Sequence, residues 1–440
     1  MAVQTTSPLD MVELVKMIID FVDSEDLLNV AFTCRLFFST ACTRIWCLLN
    51  PQTHVTLRRV RQALEGRHSY YNKHQHQQER IPFCDYRELV HHFRWYPHDK
   101  GTVHFERQFF DVFQFPNLVR LEFSYAAAQD HAVQKLIQSS SRLRHVNLSH
   151  CYCLSTEAIR PLLSIPPALK TLILYGCGKI DADALAAAIY RHRNSLECIR
   201  LTDINNEILS AIQQCDKLKD LGLEHCSDIN LDSTRINQFA AHLMRQNIPR
   251  LTRLRMRDIA SLNAEPMYNL ACATSSTLVH LDMSECNLVD QEGFTHFATC
   301  CQSLETLLLA HQFSVTDEIV QLFVKHCPNL KHLDVSGCRL LTDNAFSLWL
   351  DQDDSINFSS VSQLETLNIS GLEPDISPLV VLHLLQHLPH INEICLGVAY
   401  DYADATQLVK TASDFSLDTG RCVTICRTNW LTRSTSDPFT

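Results

Sequence analysis

Three arginines at alternate positions, Arg253, Arg255 and Arg257, are the side chains best suited to chemistry with a partner. Residues two apart in a strand point to the same side, so this spacing lines up three guanidinium groups on one face. A guanidinium forks carboxylate and phosphate oxygens, and the stripe would dock an acidic or phosphorylated segment. The neighbouring segments offer a competing use. Asp220 and Glu224 come before Arg253 and Arg257, and Asp282 comes after Arg255. Three anions set beside three cations can neutralise them as a cross-strand ladder. Both uses stay open at this point.

Catalytic chemistry finds less support. There is no G-x-x-x-x-G-K-[ST], no G-x-S-x-G and no H-E-x-x-H, and the 10 glycines leave few loops to cradle phosphate. Ser, His and Asp are plentiful, but they recur with the period of the chain, as solvated strand positions do. No catalytic residue is assigned and no enzyme is expected. His74, His76, His91 and His92 near Cys84 suggest a metal site. No C-x2-C with H-x3–5-H arrangement accompanies them, so neither metal nor cofactor is expected.

What must hold the arginines is a short unit repeated between Leu118 and Leu396. Its clearest copies read L-x-x-L-x-L-x-x-C: Leu169, Leu172, Leu174 and Cys177; Leu218, Leu221, Leu223 and Cys226; Leu278, Leu281, Met283 and Cys286; Leu330, Leu333, Val335 and Cys338. The first residues of successive copies are Leu118, Leu143, Leu169, Leu196, Leu218, Leu251, Leu278, Leu304, Leu330, Leu364 and Ile391. A period in this range marks a solenoid, and the pattern resembles leucine-rich repeats. The physical reason is that one unit cannot bury its own apolar side. Stacking many units does so, at roughly 1.5–3 kcal/mol for each buried Leu. Helical spacing follows each strand, as in Ile159/Leu162/Leu163, Leu185/Ala188/Ile189 and Ile319/Leu322/Phe323. The expected fold class is α/β, a horseshoe with a parallel sheet on its concave face and helices on its convex face.

In each copy, residues two, four and six places after the first Leu would face outward from the sheet. The middle row runs Glu122, Asn147, Ile173, Arg200, Gly222, Arg255, Asp282, Leu308, Asp334, Asn368 and Cys395. Ile173, Tyr175 and Leu308 are apolar residues at outward positions, hence contact anchors. With Arg200 and the three arginines above they form the candidate substrate-binding set. Long intervals around Asn230–Asn237 and Asp351–Ser360 would be loops, and Arg421–Arg427 would supply a last strand closing the sheet edge.

Composition narrows the partner class. A net charge of −11 with a pI near 6.0 argues against nucleic acid or an anionic membrane, and no apolar run is long enough to span a bilayer. The 19 cysteines could suggest disulfides, but Cys151, Cys177, Cys226, Cys286 and Cys338 share one slot that would point into the stack. Cys215, Cys301 and Cys327 close helices just before the next copy begins. An odd total without a secretion signal fits reduced thiols, and a cytoplasmic or nuclear location is expected. The sequons at Asn147 and Asn368 fall inside expected strands.

Residues 9–50 are different in kind. Leu14, Met17, Ile18 and Phe21 share a face at helical spacing, Asp23–Asp26 would cap a following helix, and Leu27–Phe38 forms a second apolar helix. Glu13-Leu14, Ile18, Phe21-Val22, Asp26-Leu27-Leu28, Ala31, Cys34-Arg35 and Trp46 together resemble an F-box. Val12 stands where that motif usually has Pro, and Phe37 replaces the usual Trp after Cys-Arg. Joined to cysteine-containing repeats such as Cys327–Asp343, the stretch resembles the F-box/leucine-rich-repeat family. The resemblance implies a non-catalytic substrate-recognition subunit of a Skp–cullin–F-box ubiquitin ligase. It further implies that Leu14, Ile18, Leu27, Leu28, Cys34 and Trp46 bind a Skp-type adaptor, and through it a cullin. The alternatives are a helical cap for the solenoid, and a repeat scaffold or inhibitor outside any ligase. The expected organisation is a tail (1–8), an F-box-like helical domain (9–50), a polar connector containing Arg87–Trp95 as a helix or irregular first repeat (51–115), the repeats (116–400), and a C-terminal cap and tail (401–440).

Overall fold

Among the described residues a repeat makes one short strand, a turn and one or two short helices, and within each unit successive strands pair in chain order. The computed structural model describes residues 12–23, 26–51, 53–65, 85–96, 107–124, 129–226, 233–245, 251–259, 262–286, 289–350, 362–372, 376–396, 408–413 and 424–426. They fall in two compact units, Met1–Leu196 and Glu197–Thr440.

The first unit opens with three helices, α1 (Val12–Asp20), α2 (Leu27–Ala31) and α3 (Arg35–Cys47). They pack around Val15, Ile19, Leu27, Ala31 and Ala41, with Phe37, Phe38 and Ile45 against that core. Arg44 ties α3 to the end of α1, donating to the carbonyls of Ile19 and Val22. Asp26 occupies the cap position of α2 but makes no cap bond to the backbone. Its backbone is already helical, whereas a capping side chain needs an extended residue to reach the next turn. Its carboxylate accepts from the Asn29 side chain instead.

Among the described residues of this unit, parallel strands follow: β1 (Leu48–Leu49), β2 (His92–Trp95), β3 (Arg120–Phe123), β4 (His145–Asn147) and β5 (Thr171–Leu174). The sheet therefore begins ahead of the first regular repeat. Of the stretch expected to be a polar connector, Tyr86–Leu89 forms a 3-10 turn and His92–Trp95 a strand, while 66–84 lies outside the described residues. Beneath β2 and β3 sits an aromatic cluster in which Phe93 contacts Phe113, Phe115 and Phe123 at ring separations of 5.5–5.9 Å. Trp95 adds contacts to Phe110 and Phe123. Large aromatic rings here do what leucines do in the later repeats.

In the second unit, the strands among the described residues run parallel in chain order: β6 (Cys198–Thr202), β7 (Asp220–Cys226), β8 (Arg253–Ile259), β9 (His280–Asp282), β10 (Thr306–Leu308), β11 (His332–Asp334), β12 (Thr366–Asn368), β13 (Glu393–Cys395) and β14 (Thr424–Cys426). Register aligns the second apolar residue of every copy: Ile199, Leu221, Leu254, Leu281, Leu307, Leu333, Leu367, Ile394 and Ile425 are successive partners. A slip of one residue would turn this row to the opposite side. Several of the helices behind start at side-chain caps, among them Asn205, Asp290 and Ser377, each accepting from a backbone N–H three residues on.

The cysteine slot proves to be a tie between repeats. Cys177 donates to the Leu148 carbonyl at 3.1 Å, Cys286 to Met256 at 2.7 Å and Cys338 to Leu309 at 3.0 Å. Gln312 occupies the same slot and donates to Met283. Each bonds a carbonyl of the preceding repeat, and the Leu148 carbonyl also accepts from the Cys151 N–H at 3.2 Å. Burial pushes the Cys177 thiol up to about 11 and those of Cys286 and Cys338 to about 12, so these are structural, unreactive thiols.

One position before this slot the backbone turns left-handed, at His150, Gly176, Asp203, His225, Asp258, Glu285, His311, Gly337 and Gly371. The glycine is needed most at Gly337, where an added Cβ would collide with the His311 ring of the preceding repeat.

Candidate functional site

Two surfaces carry side chains that could meet a partner: the sheet faces and the N-terminal helices. On the second unit's sheet, Asp220 is the hub. Arg200 forks it through Nη2 at 2.8 Å and Nε at 3.3 Å, Arg255 reaches it at 3.0 Å, and Arg253 lies 3.8 Å away. Arg200 and Arg255 reach it from β6 and β8, with Gly222 between them in register. Burial alone would push the Asp220 carboxyl up, but Arg255, Arg200 and Arg253 outweigh it and hold the carboxyl below its usual range. Beside them, His280 is driven down to about 3, by burial first and Arg255 next, so its imidazole is neutral.

This geometry decides much of the arginine question. Arg200 and Arg255 are buried, committed to Asp220, and Arg257 pairs with Glu285 at 2.5 Å. The stripe is mainly a ladder, as the competing reading allowed, though its hub is a single carboxylate shared among three arginines. Arg253 keeps about a third of its side chain exposed and is the member a partner can reach. Of the apolar anchors, Ile173 is only 6% exposed and is corrected to a core position, filled in by its neighbours. Tyr175 and Leu308 are half-buried.

The same device recurs on the first unit's sheet, where the sequence reading had not singled it out. Glu122 is buried and accepts from Arg94 at 2.7 Å and Tyr96 at 3.2 Å, with His92 at 3.3 Å and Arg120 at 3.4 Å. The alternation His92-x-Arg94-x-Tyr96 beside Arg120-x-Glu122 was the available signal. Burial raises the Glu122 carboxyl, but the nearby His92, the Arg94 hydrogen bond and the charges of both bring it down to about 2. Because the folded value lies below that of a free carboxyl, the stabilisation is complete above about pH 4.5 and disappears as pH falls towards 2. Glu122→Gln should therefore lower stability by about 3 kcal/mol at pH 7. Urea unfolding at pH 7 and pH 3 should show the gap between variant and parent narrowing in acid; a gap that does not change would rule out the linkage.

In the middle row, the outward side chains are more enclosed than a solvent-facing row would be. Asp282, Asp334 and Asn368 are all buried. Each turns back to its own chain and accepts from the N–H of the serine two residues on: Ser284, Ser336 and Ser370. Burial pushes the Asp334 carboxyl up, against bonds from Ser336 and Asn368. These residues finish strands and serve the fold.

In the N-terminal helices, the face that meets solvent is unusually apolar. Ile18 is 42% exposed, Leu28 58%, Met17 57%, Phe32 75% and Phe21 88%. Leu14 is half-buried and Cys34 exposed. Leu27 is corrected: it sits in the core of the block, so it cannot meet an adaptor directly. Its neighbour Leu28 points the other way because adjacent residues on a helix are about 100° apart. Trp46 is half-buried and stacks on Tyr86 at 4.5 Å, joining α3 to the segment before β2. Met17, Phe21 and Phe32 were not among the candidates, and the helical spacing of the first two with Ile18 was the signal.

Nothing among the described residues groups three or more His, Cys, Asp or Glu side chains to hold a metal; His74, His76 and Cys84 lie outside them. No described helix is long and apolar enough to cross a membrane.

A family model described as Leucine Rich Repeat matches residues 329–349. Among solved structures the chain is similar to one from the yeast Rad7–Elc1 complex, with a TM-score of 0.53 and 19% identity over 69% of this chain and 76% of that one. The fold is a leucine-rich-repeat solenoid. An internalin (inlF) of Listeria monocytogenes also aligns, at 14% identity over 70% of this chain and 81% of that one, with a TM-score of 0.41. A search of curated protein sequences gives no match. The leucine-rich repeats supply the stacked core; the helices ahead of them are a separate feature.

Proposed function

We propose that this protein is a non-catalytic substrate-recognition subunit of a Skp–cullin–F-box type ubiquitin ligase, working in the cytoplasm or nucleus. The N-terminal helices dock a Skp-type adaptor, and through it a cullin, while the sheet faces hold a target protein. The observation that carries this reading is the apolar face of the helical block. Three short helices that can bury Val15, Ile19 and Leu27 nevertheless expose Ile18, Phe21, Leu28 and Phe32. Exposed apolar clusters of this kind mark protein contacts. The likeness in fold to a chain crystallised within the Rad7–Elc1 complex supports a partner-bound scaffold.

The mechanism is proximity. Holding a target beside a ubiquitin-loaded enzyme raises its effective concentration without any covalent step in this chain. On the target side the accessible contacts are Tyr175 and Leu308, with Arg253 for an acidic group. The test separates docking from folding. Leu28→Asp should abolish co-purification with a co-expressed Skp-type adaptor and leave the thermal unfolding midpoint unchanged. Undiminished capture by a folded Leu28→Asp protein, or by Phe21→Asp, would defeat the assignment.

A further inference from the structure

On the helix side of the second unit, four thiols gather at one corner: Cys272, Cys300, Cys301 and Cys327. Cys301 and Cys327 are buried and packed for structure, with Cys301 in contact with Thr274 at 3.9 Å and Cys327 donating to the Cys301 carbonyl at 3.5 Å. Cys272 and Cys300 are different. Both are half-buried, and they lie on the helices Ala264–Thr274 and Gln291–Cys300 of consecutive repeats. One turn earlier the same two helix faces meet through Tyr268 and His296, whose rings stand 4.7 Å apart edge to face. Four residues on from each ring are Cys272 and Cys300, on the same two facing helix surfaces, with the Cys272 thiol close enough to disfavour ionisation of Cys300. Residues at i and i+4 lie on one face, so the second contact follows from the first.

Neither thiol has a role in the stack like that of the slot cysteines, and the folding core does not enclose them. We propose that Cys272 and Cys300 form a reversible redox-modification site, closed to a disulfide by a hydroperoxide and reopened by a dithiol reductant. One thiol gives up its proton and its sulfur attacks the peroxide O–O bond, forming a sulfenic acid and releasing water. The second sulfur then displaces the hydroxyl of that sulfenic acid, forming the S–S bond and releasing a second water. Two thiols are oxidised and one hydrogen peroxide is reduced to two waters. The product is a cross-link between the helices of adjacent repeats, adding a covalent tie to the packing and the Cys301 bond to the Ala271 carbonyl at 3.8 Å. Burial first, and the neighbouring Cys272 next, push the Cys300 thiol up, so thiolate is scarce and the reaction needs excess oxidant.

The full chain is treated with hydrogen peroxide, alkylated, and cleaved after glutamate without reduction. Glu285 and Glu292 lie between the two cysteines, so the linked peptides separate from an unlinked chain. The expected product is one cross-linked pair, lost on dithiothreitol treatment and absent from Cys272→Ser and from Cys300→Ser. Because Cys301 shares a fragment with Cys300, disappearance in Cys300→Ser assigns the sulfur. Recovery of both residues alkylated while exposed Cys34 and Cys153 are oxidised overturns the proposal, as does a link from Cys272 that persists in Cys300→Ser.

Discussion

Asp220→Ala is expected to cost about 3–5 kcal/mol, one of the two largest losses from a single substitution in this chain. The reason is an asymmetry. Asp220 answers Arg200, Arg255 and Arg253 together, and the first two are buried. Removing the carboxylate leaves at least two guanidinium groups enclosed without their shared partner. The same ladder replaced as a set, with Asp220, Arg200 and Arg255 all exchanged for apolar residues of similar size, should lose far less. Urea unfolding of the single and combined variants gives the comparison. A combined variant as unstable as Asp220→Ala would mean that packing, and not the stranded charge, governs the effect. Arg253→Ala, at the exposed edge of the cluster, should fall within about 1 kcal/mol of the parent.

Phe93→Ala should cost a similar amount, about 3–5 kcal/mol, for an unrelated reason. Phe93 is fully buried and touches three other rings, so truncation opens a cavity that rigid neighbours cannot fill. The loss should appear in the first unit, and amide exchange should rise along β2 and β3 first. A variant with parental exchange there would show that Phe110, Phe113 and Phe115 collapse into the space.

These two cases also separate what a reader of the chain can see from what folding adds. The repeat was legible because its signal is strictly periodic. Leu221, Leu254, Leu281, Leu307 and Leu333 were expected to lie beneath one another, and they are register partners. The buried cysteine slot was legible for the same reason. Its inter-repeat hydrogen bond was not, because the acceptor belongs to another repeat.

Other features had no local signature. Phe93, Phe113 and Phe115 lie in a stretch of uneven spacing that reads as a connector, and only their meeting in space makes them a core. Leu27 and Leu28 are indistinguishable as letters; the direction in which α2 packs makes one core and the other surface. The alternation Arg253, Arg255, Arg257 fixed a shared face, but not whether that face serves a partner or the fold. That depended on where Asp220 and Glu285 come to rest. The sequence alone determined the repeating strand and helix, since burial of an apolar row is a local, periodic demand. Tertiary structure decided which charges are already matched and which apolar side chains remain uncovered, because both depend on neighbours that lie tens of residues away along the chain.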